Sequence, residues 1–274
     1  MDPFDKLEII ESGPNAKEAK GIIVLWPSTG GNARSFRIRE SELFTLGYRL
    51  IRFNPPSHGN SSGIYHPNTA IQLLYEYIAN SGYAEFQLIG IGHSGGGAAL
   101  SILAERIKFD ILFLLSPILD SVESLRHLYK FGRIEEFSRL LLLDGVLDDT
   151  NPNLTILETL SNDLWLQTGE VHHLDFPVSN KRIRVGSLAK FLTNLFLPGF
   201  CLGSESVQKH TKYVIFLPEE DHWFPKSTTE QFVQINQLEL VPIAEAKDHF
   251  FSSAWLAVWA NIKQKIIENK ANPN

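Results

Sequence analysis

The chain has 274 residues, 43% of them hydrophobic and 20% charged, which is long enough to bury a sizeable core and too apolar for broad disorder. Its formal net charge of −6, with no long basic run, argues against a nucleic-acid partner. A single cysteine, Cys201, leaves no intrachain disulfide to form and reads as a small apolar filler in a reducing compartment. The start, Met1-Asp2-Pro3-Phe4-Asp5-Lys6, lacks the basic and apolar regions of a signal peptide. No window approaches the ~20 consecutive apolar residues of a membrane span. The expectation is a cytoplasmic protein with no integral membrane association.

Short β-rich runs alternate with helical patterns along most of the chain, the signature of a parallel sheet with crossover helices. Strands are expected at residues 6–10, 21–26, 48–53, 86–92, 109–115, 211–217 and 237–242. Several are apolar almost throughout, such as Ile22-Ile23-Val24-Leu25, as in strands covered on both faces. Helices are expected at 33–45, 69–81, 96–106, 227–234 and 250–268. In the second, Ile71, Leu74, Tyr75 and Ile78 share a stripe; in the last, Trp255, Val258, Trp259 and Ile262 do so. That spacing assigns the aromatics to the core.

Residues 118–203 break the alternation. Three amphipathic helical patterns are read there: Leu125 to Leu141, a second opened by Asn151-Pro152, and a third running from Val185 through Phe196 to Pro198-Gly199. The expected organisation is an α/β core over 1–117 and 204–274, with a helical cap inserted at 118–203. A purely structural helical subdomain is the alternative.

Chemistry concentrates at Gly92-His93-Ser94-Gly95-Gly96, between an apolar run and a helical one. A serine with glycines two residues to either side fits a nucleophile elbow, a strained strand-to-helix turn that exposes the hydroxyl. Such a serine needs a base, and the base needs an acid to orient it. Asp221 follows the run 211–217, within Pro218-Glu219-Glu220-Asp221-His222, and His249 follows the run 237–242. Glu220 and Asp120 compete with Asp221 for the acid. His93, His222 and His58 are weaker candidates for the base, and His58 is expected to brace its own loop. His172-His173 lacks further metal ligands at helical spacing, so neither a metal nor a cofactor is expected.

With these residues in order, the chain resembles the α/β-hydrolase family from about residue 21 to residue 267. Pro55-Pro56-Ser57-His58-Gly59-Asn60-Ser61 looks like that family's Arg-Gly-His-Gly-x-Ser loop. The order serine, acid, histidine is met by Ser94, Asp221 and His249. The family's aspartate usually stands four residues before a proline, as Asp221 does before Pro225. The resemblance implies an α/β-hydrolase fold, mostly parallel, with helices on both faces. It also implies a serine hydrolase acting on a small-molecule acyl substrate, a carboxylic ester with an apolar group. The oxyanion hole would be the N–H groups of Gly95 and Thr29. Relatives usually carry His-Gly where Pro27-Ser28 stands, so this loop departs from the pattern. Thioesterase, acyltransferase, haloperoxidase or lyase chemistry on the same fold, and an inactive binding protein, are the alternatives.

Overall fold

The computed structural model describes residues 7–29, 31–56, 58–62, 67–120, 127, 172–176, 181–185 and 201–271. Seven strands form one sheet: β1 (Glu8–Ser12), β2 (Gly21–Trp26), β3 (Tyr48–Asn54), β4 (Gln87–His93), β5 (Ile111–Leu115), β8 (Lys212–Pro218) and β9 (Glu239–Ile243). Their order is β1-β3-β2-β4-β5-β8-β9, and only the β1–β3 pair is antiparallel. The helices are α1 (Glu40–Thr45), α2 (Pro67–Asn80), α3 (Gly95–Leu103), α4 (Lys226–Asn236) and α5 (Trp255–Ala271). No helix among the described residues is long and apolar enough to cross a membrane.

Strand alternation divides the core. Ile22, Val24 and Trp26 of β2 pack with residues of α2, α3 and α4 on one face, while Ile23 and Leu25 pack with residues of α1 and α5 on the other. All of β2 is buried, which is why it reads as a continuous apolar run. The chain passes from β2 to β3 on one side and returns to β4 on the other. A topological switch therefore falls between β2 and β4, the place where open α/β sheets form a crevice at the strands' carboxyl ends. The loops carrying Thr29 and Ser94 both leave that edge.

Three expectations need correction. The helix expected at 33–45 survives only as α1, because the Asn32 side chain accepts the Arg34 N–H (2.8 Å) and makes a tight 3-10 turn at Ala33–Ser35. Phe36 is then extended and buries its ring against Trp255, edge-on at 5.8 Å. The last helix begins at Trp255 rather than 250, since Phe251 sits at φ 54 and cannot continue a helix toward the N-terminus. Within the insertion, β6 (His172–Phe176) and β7 (Lys181–Val185) pair as an antiparallel hairpin. Val185 thus ends a strand instead of opening a helix. The run Lys181-Arg182-Ile183-Arg184-Val185, with β-branched Ile183 and Val185 two residues apart, carried that signal. The remaining helical patterns of the insertion lie outside the described residues. At its base, the Leu202 N–H donates to the Ile118 carbonyl (2.7 Å), so the chain leaves and re-enters the core at one point.

Asn54 ties the loops after β2 and β3 together. It is fully buried; its Oδ1 accepts the Ala33 N–H and its Nδ2 donates to Glu8, both at 2.8 Å. Its carbonyl accepts the Ser61 hydroxyl (2.6 Å). Asn54→Leu strands the Ala33 N–H without an acceptor and is expected to lower the unfolding free energy by about 1–3 kcal/mol. Urea denaturation checks this; an unchanged midpoint would show that the loop does not depend on Asn54.

Candidate active site

The site starts from the backbone of Ser94. Its φ of 55° and ψ of −121° are rare for a residue with a side chain, and they place it as the N-cap of α3. The Ser94 N–H donates to the Leu115 carbonyl at the end of β5 (2.8 Å), which clamps the turn to the neighbouring strand. The flanking glycines are required by contact. A Cβ on Gly92 would come within 2.7 Å of Gly96 O and of Gly97 Cα. A Cβ on Gly96 would run into the carbonyl oxygens of Trp26 and Pro27. The first turn of α3 therefore lies directly on the end of β2.

This close approach brings the two expected oxyanion donors onto backbones that touch. Gly95 is the first residue of α3, so its N–H has no acceptor within the helix and lies at the helix's positive end. On the facing loop, the Gly31 N–H donates to Ser28 O (2.8 Å), which closes a turn around Thr29 without using the Thr29 N–H. Thr29 Oγ1 is buried and has no hydrogen-bond partner among the described residues.

Asp221 and His249 meet. Asp221 Oδ2 lies 2.9 Å from His249 Nδ1, and both side chains are only 2% exposed. Asp221 Oδ1 accepts the Trp223 and Phe224 N–H groups at 2.8 and 2.9 Å. Burial alone would raise the Asp221 pKa. The His249 ring and the two backbone donors outweigh it and hold the carboxyl below its ordinary range. Glu220 is instead on the surface, 3.8 Å from Lys247. The backbone carbonyl of Asp221 accepts His127 Nε2 at 2.8 Å, a contact from the insertion that the sequence reading missed.

The His249 ring sits among aromatic neighbours. Phe224 and Phe250 approach edge-on at 4.9 and 5.0 Å, and Trp223 lies at 5.9 Å. Its loop is shaped by Asp248, whose Oδ1 accepts the Phe250 and Ser252 N–H groups at 2.8 and 3.1 Å. Phe251, fully buried, anchors it in the core. Ser94 Oγ makes no hydrogen bond to His249 or to any other described residue; such contacts often form only once substrate is bound. His93 Nε2 donates to the His249 carbonyl at 2.9 Å, a partnership that adjacency to Ser94 in the sequence did not suggest. His58 braces its own turn, Nδ1 lying 3.0 Å from the Pro56 carbonyl.

No protein-family model matches the chain, and no curated protein matches it in sequence. Solved structures do. Est1E from Butyrivibrio proteoclasticus, solved with ferulic acid bound, is 18% identical with a TM-score of 0.64, covering 97% of this chain and 96% of its own. A carboxylesterase structure from the thaumarchaeon Nitrososphaera gargenis is also 18% identical at TM-score 0.64, covering 99% and 98%. The fold is that of the α/β-hydrolases. A putative non-heme bromoperoxidase, BpoC, from Mycobacterium tuberculosis H37Rv shares it at 13% identity and TM-score 0.61, covering 96% of each chain. The α/β-hydrolase fold thus accounts for the crossing at β2 and β4 and for the strand edge from which Thr29, Ser94, Asp221 and His249 all project.

Two buried histidines make the fold sensitive to acid. Burial pushes His58 down to about 4; burial, and secondarily the neighbouring His249, pushes His93 down to about 3. Unfolded, each takes up a proton near pH 6.5. Because the folded values are lower, the unfolded state binds more protons below pH 6.5 and stability falls from there. The slope is about 1.4 kcal/mol per pH unit for each histidine. Urea midpoints between pH 7 and pH 5.5 should fall with a slope that approaches two protons at the acid end; a flat profile would remove both histidines from the folded core. The carboxylates add their loss only at lower pH.

Proposed function

We propose that the protein is a serine hydrolase that cleaves an acyl bond, in the first place a carboxylic ester with an apolar group, without a cofactor. The observation that carries this reading is the buried, doubly braced Asp221 bonded to His249 Nδ1, on the same strand edge as the strained Ser94. With Nδ1–H donated to Asp221, Nε2 is the nitrogen left to accept a proton. Ser94 Oγ attacks the carbonyl carbon as its proton passes to His249 Nε2. The Gly95 and Thr29 N–H groups stabilise the oxyanion, and the carboxylate of Asp221 stabilises the imidazolium. The intermediate collapses to an acyl-enzyme, and the departing alcohol takes the proton from His249. Water then repeats the sequence and frees the acid.

Trp223, Phe224 and Phe250 around His249 support an apolar group beside the scissile bond. The similarity of the fold to esterases that include a ferulic-acid complex supports an ester. Residues 118–203 serve as a cap over this edge. The closed neck at Ile118 and Leu202, and the reach of His127 to the Asp221 loop, support that arrangement.

A fluorophosphonate probe is expected to label Ser94, and Ser94→Ala to abolish both labelling and turnover of p-nitrophenyl esters. Asp221→Asn should lower turnover by about 10⁴-fold by imposing the wrong tautomer on His249. Glu220→Gln should leave it within about twofold, since surface ion pairs contribute little. Labelling that persists in Ser94→Ala, or full activity in Asp221→Asn, would refute the assignment. Parallel assays with acyl thioesters separate esterase from thioesterase activity, and faster thioester turnover would replace the ester reading.

A further inference from the structure

We infer that His93 is a positioning residue for His249. The ring next to the proposed nucleophile holds the main chain of the proposed base, so that the two move as one unit. This rests on the roles given above to Ser94, His249 and Asp221.

His93 is the last residue of β4, and its backbone is fixed in the sheet opposite Leu115 of β5. The side chain is buried and reaches the loop after β9, where Nε2 lies 2.9 Å from the His249 carbonyl. A carbonyl only accepts, so Nε2 carries the proton and the ring acts as a neutral donor. The two imidazoles lie 4.9 Å apart, tilted by 34°. Phe250 and Phe251 approach the His93 ring at 5.7 and 6.2 Å.

Space-filling alone does not account for this placement. His93 also lines a cavity of about 310 Å³, together with Pro27, Ser28, Phe36, Phe250 and Trp255. The Nε2 bond to the His249 carbonyl fixes the orientation of the buried ring. The bonds within the loop, from Asp248 to the Phe250 and Ser252 N–H groups, shape residues 248–252 but do not tie them to the sheet. The His93 bond does so, at the residue before Ser94. A displacement of the end of β4 therefore carries Ser94 and His249 together, which preserves the gap that the proton must cross.

Three variants test this: His93→Phe keeps a ring without the donor, His93→Gln places an amide N–H near the Nε2 position, and His93→Asn places it near Nδ1. In the full chain, His93→Phe is expected to lower kcat on a p-nitrophenyl ester by ~10- to 100-fold, the scale of a misplaced catalytic group. KM should stay within about threefold. Fluorophosphonate should still titrate a full complement of Ser94, and the downfield proton resonance of His249 Nδ1–H should shift or broaden. His93→Gln should restore kcat to within about fivefold, and His93→Asn should not. Wild-type kcat in His93→Phe, or a loss matched by proportionally fewer titratable serines, would reduce His93 to a core filler. If His93→Phe does not fold, the Gln and Asn variants decide, and equal kcat values would overturn the inference. Should the wild-type chain turn over neither esters nor thioesters, the hydrolase reading fails. The His249 resonance in the Gln and Asn variants then still decides the role of His93.

Discussion

The contact on which this structure depends is the meeting of the first turn of α3 with the end of β2. It is a contact between backbones, possible only because position 96 has no Cβ to strike the Trp26 and Pro27 carbonyls. With it go the abrupt turn after His93 and the positive φ of Ser94 at the start of α3. Strain at Ser94 is sustained because its surroundings over-determine it. The Ser94 N–H is held by Leu115, Gly92 is pressed against the turn, and β2, β4 and β5 are buried on both faces.

Burial sets the electrostatics of the same edge. An aspartate as deeply enclosed as Asp221 would resist ionisation, but three donors converge on its two oxygens and reverse that preference. The buried histidines go the other way. Burial dominates at His58 and His93 and keeps both rings neutral. One edge therefore holds an ionised acid bonded to the His249 ring and a neutral histidine bonded to the His249 carbonyl, the first kept charged by its donors and the second kept neutral by burial. Aromatic rings around His249 keep competing water away from these bonds.

The strands were legible in the sequence because they lie in the middle of a sheet. Ile22 to Leu25 and Ile111 to Leu115 are covered on both faces, so their apolar runs leave no competing period. Segments whose shape depends on distant partners were not legible. The short turn at Ala33–Ser35 starts from the local Asn32 cap, but its Ala33 N–H and carbonyl are held by Asn54 and Arg52, both remote in sequence. The late start of α5 rests on Phe251 seeking the core. The hairpin of β6 and β7 ends at Val185, which the sequence pattern alone makes the first residue of a helical stripe.

The sequence by itself determined an α/β chain with a glycine-flanked serine after a strand, and a later acid and histidine in the chain order of the α/β-hydrolases. It could do so because glycine spacing and strand runs are local properties of the backbone. Tertiary structure decided which carboxylate reaches His249: Asp221, because its loop turns back on the Trp223 and Phe224 N–H groups, while Glu220 faces Lys247. It also decided that His93 bonds the His249 carbonyl and that His127 bonds the Asp221 carbonyl. These are contacts between segments far apart in the chain, and only the folded sheet brings them within hydrogen-bonding distance.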